Sequence, residues 1–267
     1  MNNYVRKPLA QNVIGIIPMA GTASRLGKIP CSKEIYPLQP AAGTYDTINP
    51  PQVICDYLLG KMSVACISRI YIIIRQGKWD IPACLGDGSR HGLNLAYLMM
   101  GLPYGTPYSI DQAYPFLQHA NVALGFPDMV FAPGDLFGQL LAKQKTTDAD
   151  VVLGLFPANR PDKVDMVETD DKGKVKRILV KPARTDLLLT WGVAVWSPAF
   201  SHFMHEFLVS HRTAAAESPE LFVGDIIQAA IENRMHIHAV QVSRHPYLDI
   251  GTSKDDLHRI TCPQNSN

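Results

Sequence analysis

Apolar residues fall along the first part of the chain in short unbroken runs, and longer stretches of mixed polarity separate them. Val13-Ile14-Gly15-Ile16-Ile17 is one such run and predicts a strand buried on both faces. It leads into Pro18-Met19-Ala20-Gly21-Thr22-Ala23-Ser24-Arg25-Leu26-Gly27, which is too rich in small residues to extend the strand. Asn49-Pro50-Pro51 opens a predicted helix to about Ser63, with its prolines in the first turn, where no N–H is needed. Arg69 to Ile74 predicts a second strand, Lys78 to Cys84 a helix, Leu93 to Tyr97 a third strand and Thr106 to Gln118 a helix. Strands are predicted at Val122 to Phe131 and Val151 to Phe156, around a helix from Gly134 to Gln144. Strands alternating with helices imply an α/β class, with a mostly parallel central sheet and helices on both faces.

The texture changes after Pro157. Val164 to Thr169 and Val175 to Val180 flank the polar, glycine-bearing Asp170-Asp171-Lys172-Gly173-Lys174, a hairpin signal. Trp191 to Trp196 predicts a strand, Pro198 to Ser210 an amphipathic helix, Phe222 to Asn233 another helix and His236 to Val242 a strand. Tyr247 to Gly251 then precedes a predicted helix from Ser253 to about Ile260. The chain has no repeat, no low-complexity block and no long linker, so a single domain over 1–267 with a β-rich elaboration in its second half is expected.

Composition narrows the function classes. Lys and Arg total 25 against 24 Asp and Glu, and a net charge of +1 argues against a protein that binds chiefly by neutralising a nucleic-acid backbone. No apolar run reaches the roughly 18 residues of a membrane span, and the first residues lack the apolar core of a secretory signal. Cys31, Cys55, Cys66, Cys84 and Cys262 are scattered without a CxxC pair, so neither a disulfide framework nor a zinc knuckle is indicated. A cytoplasmic enzyme or binding protein is expected, with no nucleic-acid and no membrane partner.

Ligands of open α/β sheets bind at the carboxyl ends of strands, so the segment after the first strand is the first candidate site. Gly21 to Leu26 offers backbone N–H groups, hydroxyls and the Arg25 guanidinium, a set able to wrap a polyphosphate, and Lys33 adds a point charge nearby. The alternative is a plain connection with a surface Arg and Lys. The Walker pattern is absent, and the dinucleotide fingerprint fails at Ala23 and at Arg75, where an acid would be required.

Pro18 to Leu26 followed by Ser32-Lys33-Glu34-Ile35-Tyr36-Pro37 resembles the signature loop of the sugar-phosphate nucleotidyltransferases, notably the glucose-1-phosphate thymidylyltransferases. The likeness continues in order along nearly the whole chain. Pro103-Tyr104-Gly105-Thr106 resembles the nucleobase loop, Leu124 to Asp128 the apolar strand ending in a metal-binding aspartate, and Tyr247 to Thr252 the closing motif with a second aspartate. Met166 to Pro182 keeps the spacing from the sugar hairpin to its Lys-Pro.

The resemblance implies a Rossmann-like nucleotidyltransferase fold, with a nucleotide-binding part over about 1–157 and a sugar-phosphate part over about 158–267. It implies Arg25, Lys33 and Lys181 as catalytic cations. Ala20, Gly21, Thr22, Ala23, Ser24, Met100, Pro103, Gly105 and Thr106 would line the nucleotide. Asp165, Val180, Lys181, Trp191 and Gly192 would line the sugar phosphate, and Asp128 and Asp249 would hold Mg²⁺. The substrates implied are an NTP and a sugar phosphate, in a protein that is free to form a homo-oligomer.

Departures from the family pattern lie where substrates are chosen. Met100 stands where thymidylyltransferases place a base-reading Gln, and its thioether cannot make those hydrogen bonds. Val164-Asp165 replaces Tyr-Gly, and Val180 replaces a Glu that grips sugar hydroxyls, so either the sugar differs or Asp165 substitutes for the missing acid. Thymidylyl or uridylyl transfer to a hexose 1-phosphate is the leading expectation. The alternatives are a cytidylyltransferase acting on another phosphorylated alcohol and a catalytically degenerate nucleotide-sugar-binding regulatory subunit; a metal-dependent glycosyltransferase would not need the Arg25 loop.

Other constellations have simpler readings. His202 and His205 share a helix face but are expected to be surface histidines, and His236 and His238 one solvated strand face. Asp148 and Asp150 precede a strand and read as loop and cap, Asp225 as a helix-start residue, Cys31 as structural, and Trp191 as core in preference to a sugar platform.

Overall fold

In the computed structural model, the described residues are 12–21, 29–38, 52–101, 105–131, 134–211 and 220–250. Strand β1 (Val13–Pro18) lies inside the sheet, parallel to β2 (Arg69–Arg75) on one side and to β4 (Asn121–Gly125) on the other, with Gly15 opposite both Ile70 and Ala123. Beyond β2 runs β3 (Asn94–Met100), also parallel. On the other side, β9 (Leu189–Trp196) runs antiparallel between β4 and β6 (Val151–Pro157), and β10 (Ile237–Gln241) lies parallel to β6. The order across the sheet is β10-β6-β9-β4-β1-β2-β3. A hairpin of β7 (Met166–Thr169) and β8 (Val175–Leu179) joins it at β9, as the glycine-bearing turn predicts.

Alternation of side chains sends each central strand into two cores. Ile14, Ile16, Val122, Leu124, Leu153 and Trp196 face one side, where α3 (Thr106–Asp111), α4 (Tyr114–Leu117), α6 (Pro198–His211) and α7 (Val223–Glu232) pack. Val13, Ile17, Val152, Val193 and Val195 face the other, against α1 (Asp56–Val64), α2 (Asp80–Leu85) and α5 (Leu136–Thr147). Both faces being covered, the strands can be apolar throughout, which is why they read as unbroken runs. Gly15 permits a close approach of α1, since a Cβ there would lie 2.9 Å from the sulfur of Met62.

Three boundaries depart furthest from expectation. Helix α1 begins at Asp56, because the Asp56 carboxylate accepts the N–H groups of Gln52 (2.7 Å) and Val53 (3.1 Å) and holds those residues in a turn. The helix expected over 106–118 is two short ones, since Pro115 has no N–H to offer the carbonyl of Asp111. The strand expected over 122–131 stops at Gly125, turns at Phe126-Pro127-Asp128, and resumes as the two-residue β5 (Met129–Val130), which pairs outside the main sheet with β11 (Leu248–Asp249). The helix expected from Ser253, like Arg25, Thr22, Ala23, Ser24 and Pro103, lies outside the described residues.

Candidate active site

The carboxyl ends of β1, β2 and β3 converge where the sequence places the phosphate loop. Met19 donates its N–H to Ile73 O (2.8 Å) and Arg75 Nε donates to Ala20 O (3.0 Å), so the end of β2 fixes the start of that loop. Ala20 is buried, whereas Gly21 is exposed and a Cβ on it would meet nothing within 4 Å among the described residues. Gly105 precedes α3 at φ +117°, and a Cβ there would lie 2.7 Å from Leu221 O, so only glycine lets the backbone at this position lie against Leu221. Thr106 follows, half-buried, as the first residue of α3. Met100 at the end of β3 is buried, and its sulfur accepts the Ser109 hydroxyl at 3.1 Å, which turns it toward the core.

Pairing of β5 with β11 brings together the two aspartates that the sequence places 121 positions apart. Asp249 lies opposite Met129, and Ile250 donates its N–H to Asp128 O at 3.0 Å. Lys33, on a single turn of 3-10 helix (Lys33–Ile35), reaches across so that Nζ lies 2.5 Å from Asp128 Oδ2. Burial pulls the Lys33 ammonium down, but the carboxylates of Asp128, Glu34 and Asp249 outweigh it and hold its pKa above the usual lysine value.

A second cluster gathers at the β7–β8 hairpin. Burial raises the Asp165 carboxyl to about 6, although it accepts the indole N–H of Trp191 at 3.3 Å and feels the Lys181 charge. Gly224, next to the start of α7, backs onto it: a Cβ there would collide with Asp165 Oδ2 and lie 3.0 Å from Val180 Cγ2. Lys181 has left-handed backbone (φ +42°) and places Nζ 3.3 Å from the ring centre of Phe222. Gly192 completes the wall, with room for no Cβ beyond 3.2 Å from the rings of Phe156 and Tyr247. Trp191 is 6% exposed, so its ring belongs to the core while its N–H serves the site.

The sequence does not single out Phe222, Gly224 and Tyr247 for this wall, because their contacts with Lys181, Asp165 and Gly192 are long-range. The simpler readings hold for Asp225 and Asp150, whereas His238 is half-buried and does not share a solvated face with the exposed His236. Asp225 accepts the Phe222 N–H at 2.8 Å at the start of α7, and Asp150 accepts the His236 N–H at 2.9 Å. His202 pairs through Nδ1 with the Tyr114 hydroxyl, and His205 pairs through Nδ1 with Asp111. Burial raises the Cys31 thiol, the opposite of an activated nucleophile. Among the described residues no three His, Cys, Asp or Glu side chains form a metal cage, and no helix is long and apolar enough to cross a membrane.

Comparison with known proteins identifies the family of the chain. The chain is 26% identical over 248 residues to a low-salt glycan biosynthesis nucleotidyltransferase of Haloferax volcanii, covering 91% of this chain and 64% of that protein. It is 26% identical over 255 residues to a glucose-1-phosphate thymidylyltransferase of Streptomyces griseus, covering 91% of this chain and 63% of that one. The chain thus spans less than two thirds of the length of either relative. The fold matches a Bacillus anthracis protein described as a glucose-1-phosphate thymidylyltransferase, crystallised with sucrose, at TM-score 0.76 and 18% identity over 93% of this chain and 94% of that one. Residues 14–263 match the family described as nucleotidyl transferase, and the chain belongs to that family.

Proposed function

We propose that the protein transfers a nucleoside monophosphate from an NTP to a sugar 1-phosphate and releases pyrophosphate. In this reading a phosphate oxygen of the sugar phosphate attacks the α-phosphorus of the NTP. The new P–O bond forms as the bond to the β-phosphate breaks, and the leaving charge departs with pyrophosphate. Such a reaction needs positioning and charge stabilisation more than covalent help from the protein. The observation that carries the reading is the meeting of Lys33, Asp128 and Asp249 across the β5–β11 pair.

Two carboxylates on adjacent strands suit a hard divalent cation such as Mg²⁺, which takes one or two carboxylates and keeps its waters. Asp128 and Asp249 would hold it. When bound it would neutralise phosphate charge. Lys33 and Arg25 would bind the triphosphate tail, with Ala20, Gly21, Thr22, Ala23, Ser24, Pro103, Gly105 and Thr106 around the nucleotide. Lys181 would bind the sugar phosphate, and Asp165, in the wall formed with Val180, Trp191 and Gly192, would take the sugar hydroxyls in place of the absent glutamate. Met100, buried against Ser109, offers a base no polar edge. Thymidylyl or uridylyl transfer to a hexose 1-phosphate is the specific form proposed. Pyrophosphate release tests it, with the four NTPs and dTTP set against a panel of sugar 1-phosphates and divalent metal present. Release that requires all three components supports the reading, and no release from any combination overturns it.

A further inference from the structure

The turn that carries Lys33 is gripped on both sides by one short stretch of chain. Asp80, the first residue of α2, accepts the Ser32 N–H at 2.7 Å and the Ser32 hydroxyl at 2.9 Å. Lys78, two positions earlier, donates to Glu34 Oε1 at 2.7 Å. Ser32 and Glu34 are the two neighbours of Lys33, so each flank of the lysine has its own anchor. A third tie, Cys55 N–H to Glu34 O at 2.9 Å, holds the backbone from the opposite side.

The Glu34–Lys78 pair is deeply buried, with Glu34 1% and Lys78 5% exposed, and Glu34 Oε2 has no hydrogen-bond partner among the described residues. Burial raises the Glu34 carboxyl and lowers the Lys78 ammonium, and their mutual attraction offsets only part of that cost. A well-packed apolar pair would avoid the penalty, so stability alone is a poor reason for these two residues to be here. A rival partner also lies next door, because the Lys33 ammonium feels the Glu34 carboxylate as well as that of Asp128.

We propose that the stretch Lys78 to Asp80 is a positioning clamp for Lys33. By holding Ser32 and Glu34 it fixes the turn, and by occupying Glu34 it denies Lys33 a neighbouring carboxylate and leaves its ammonium facing Asp128. Lys78 and Asp80 touch no reacting atom in this scheme; they act through Lys33. The catalytic consequence rests on the function proposed above, whereas the geometric consequence does not.

The test compares Lys78→Met, Lys78→Arg, the double variant Glu34→Gln with Lys78→Met, and Leu208→Ala as a destabilised control far from the turn. All are assayed well below their unfolding temperatures. The clamp predicts that Lys78→Met lowers kcat by about tenfold or more and raises the nucleotide KM, with the sugar-phosphate KM moving less than about threefold. Lys78→Arg, which keeps the charge, and the double variant, which removes the rival carboxylate, should each recover to within about fivefold of wild type. Leu208→Ala should lower Tm and leave kcat of the folded enzyme unchanged. A crystal structure of Lys78→Met should have Lys33 turned away from Asp128. Wild-type kcat in Lys78→Met, or an unmoved Lys33 in its structure, overturns the clamp. Should Lys78→Met not fold, Asp80→Asn takes its place, with a lowered kcat supporting the clamp and an unchanged kcat overturning it. Absence of pyrophosphate release from the wild type overturns the proposed function instead, and the crystal structure then decides the clamp by itself.

Discussion

Trp191 donates its indole N–H to Asp165 across 3.3 Å, at the place where Gly224 leaves no side chain between α7 and the β7–β8 hairpin. A core aromatic thereby orients a carboxylate that burial keeps reluctant to ionise, with a pKa of about 6. The combination of buried acid, indole donor and nearby Lys181 is a polar site set into an otherwise apolar wall.

A carboxyl raised from 3.8 to about 6 on folding favours the folded state most when protonated, so its contribution is complete below about pH 4 and is lost as pH rises to about 6. Asp165→Asn removes this dependence. The variant should exceed wild type in stability by about 1–3 kcal/mol above pH 6, with the gap closing near pH 4, in denaturant unfolding across that range. The same variant should raise KM for the sugar phosphate by about tenfold or more and leave the nucleotide KM nearly unchanged. Equal stability gaps at both ends of the pH range would count against the assignment.

Asp128→Asn keeps the shape of the side chain and removes its charge. Asp128 and Lys33 are each only 17% exposed, so losing the charge that faces the mostly buried ammonium should cost about 1–3 kcal/mol of stability. Turnover should fall by about 100-fold or more, because a proposed cation ligand is lost. Pyrophosphate release alongside circular dichroism separates the two effects, and full turnover in a folded variant would refute the role.

Gly224→Ala forces a methyl group against Asp165 and Val180. Overpacking of this kind costs about 1–3 kcal/mol. Since the strain falls on the sugar side, KM for the sugar phosphate should rise more than KM for the nucleotide. Equal effects on both would place Gly224 outside the sugar wall.

Trp196→Phe supplies a contrast away from the site. Its indole N–H donates to the buried Ser201 hydroxyl at 2.8 Å, and losing it leaves that hydroxyl unsatisfied at a cost of about 1–3 kcal/mol. Thermal unfolding should register the loss, while kcat of the folded enzyme stays at the wild-type value.

Much of the fold is legible in the sequence because its signals are local. Val13 to Ile17 and Val151 to Phe156 are unbroken apolar runs because covered sheet faces require them, and both are strands in the structure. The turn at Asp170 to Lys174 announces the β7–β8 hairpin for the same reason, as local turn chemistry. The break at Pro115 is also local, but the proline sits in the first turn of a second helix and so reads equally well as a continued one.

The α/β class, most of the strands and the residue types a phosphate-transfer site would use are therefore written in local stretches of the chain. How they meet is a property of the folded core. The pairing of β5 with β11 joins Asp128 to Asp249, the Lys78–Asp80 stretch flanks Lys33, and Gly224 and Phe222 close on Asp165 and Lys181. Periodicity reports which side of an element is buried but carries no register between elements distant in the chain. That register is set by the packing of the whole core, and these contacts exist only once it has formed.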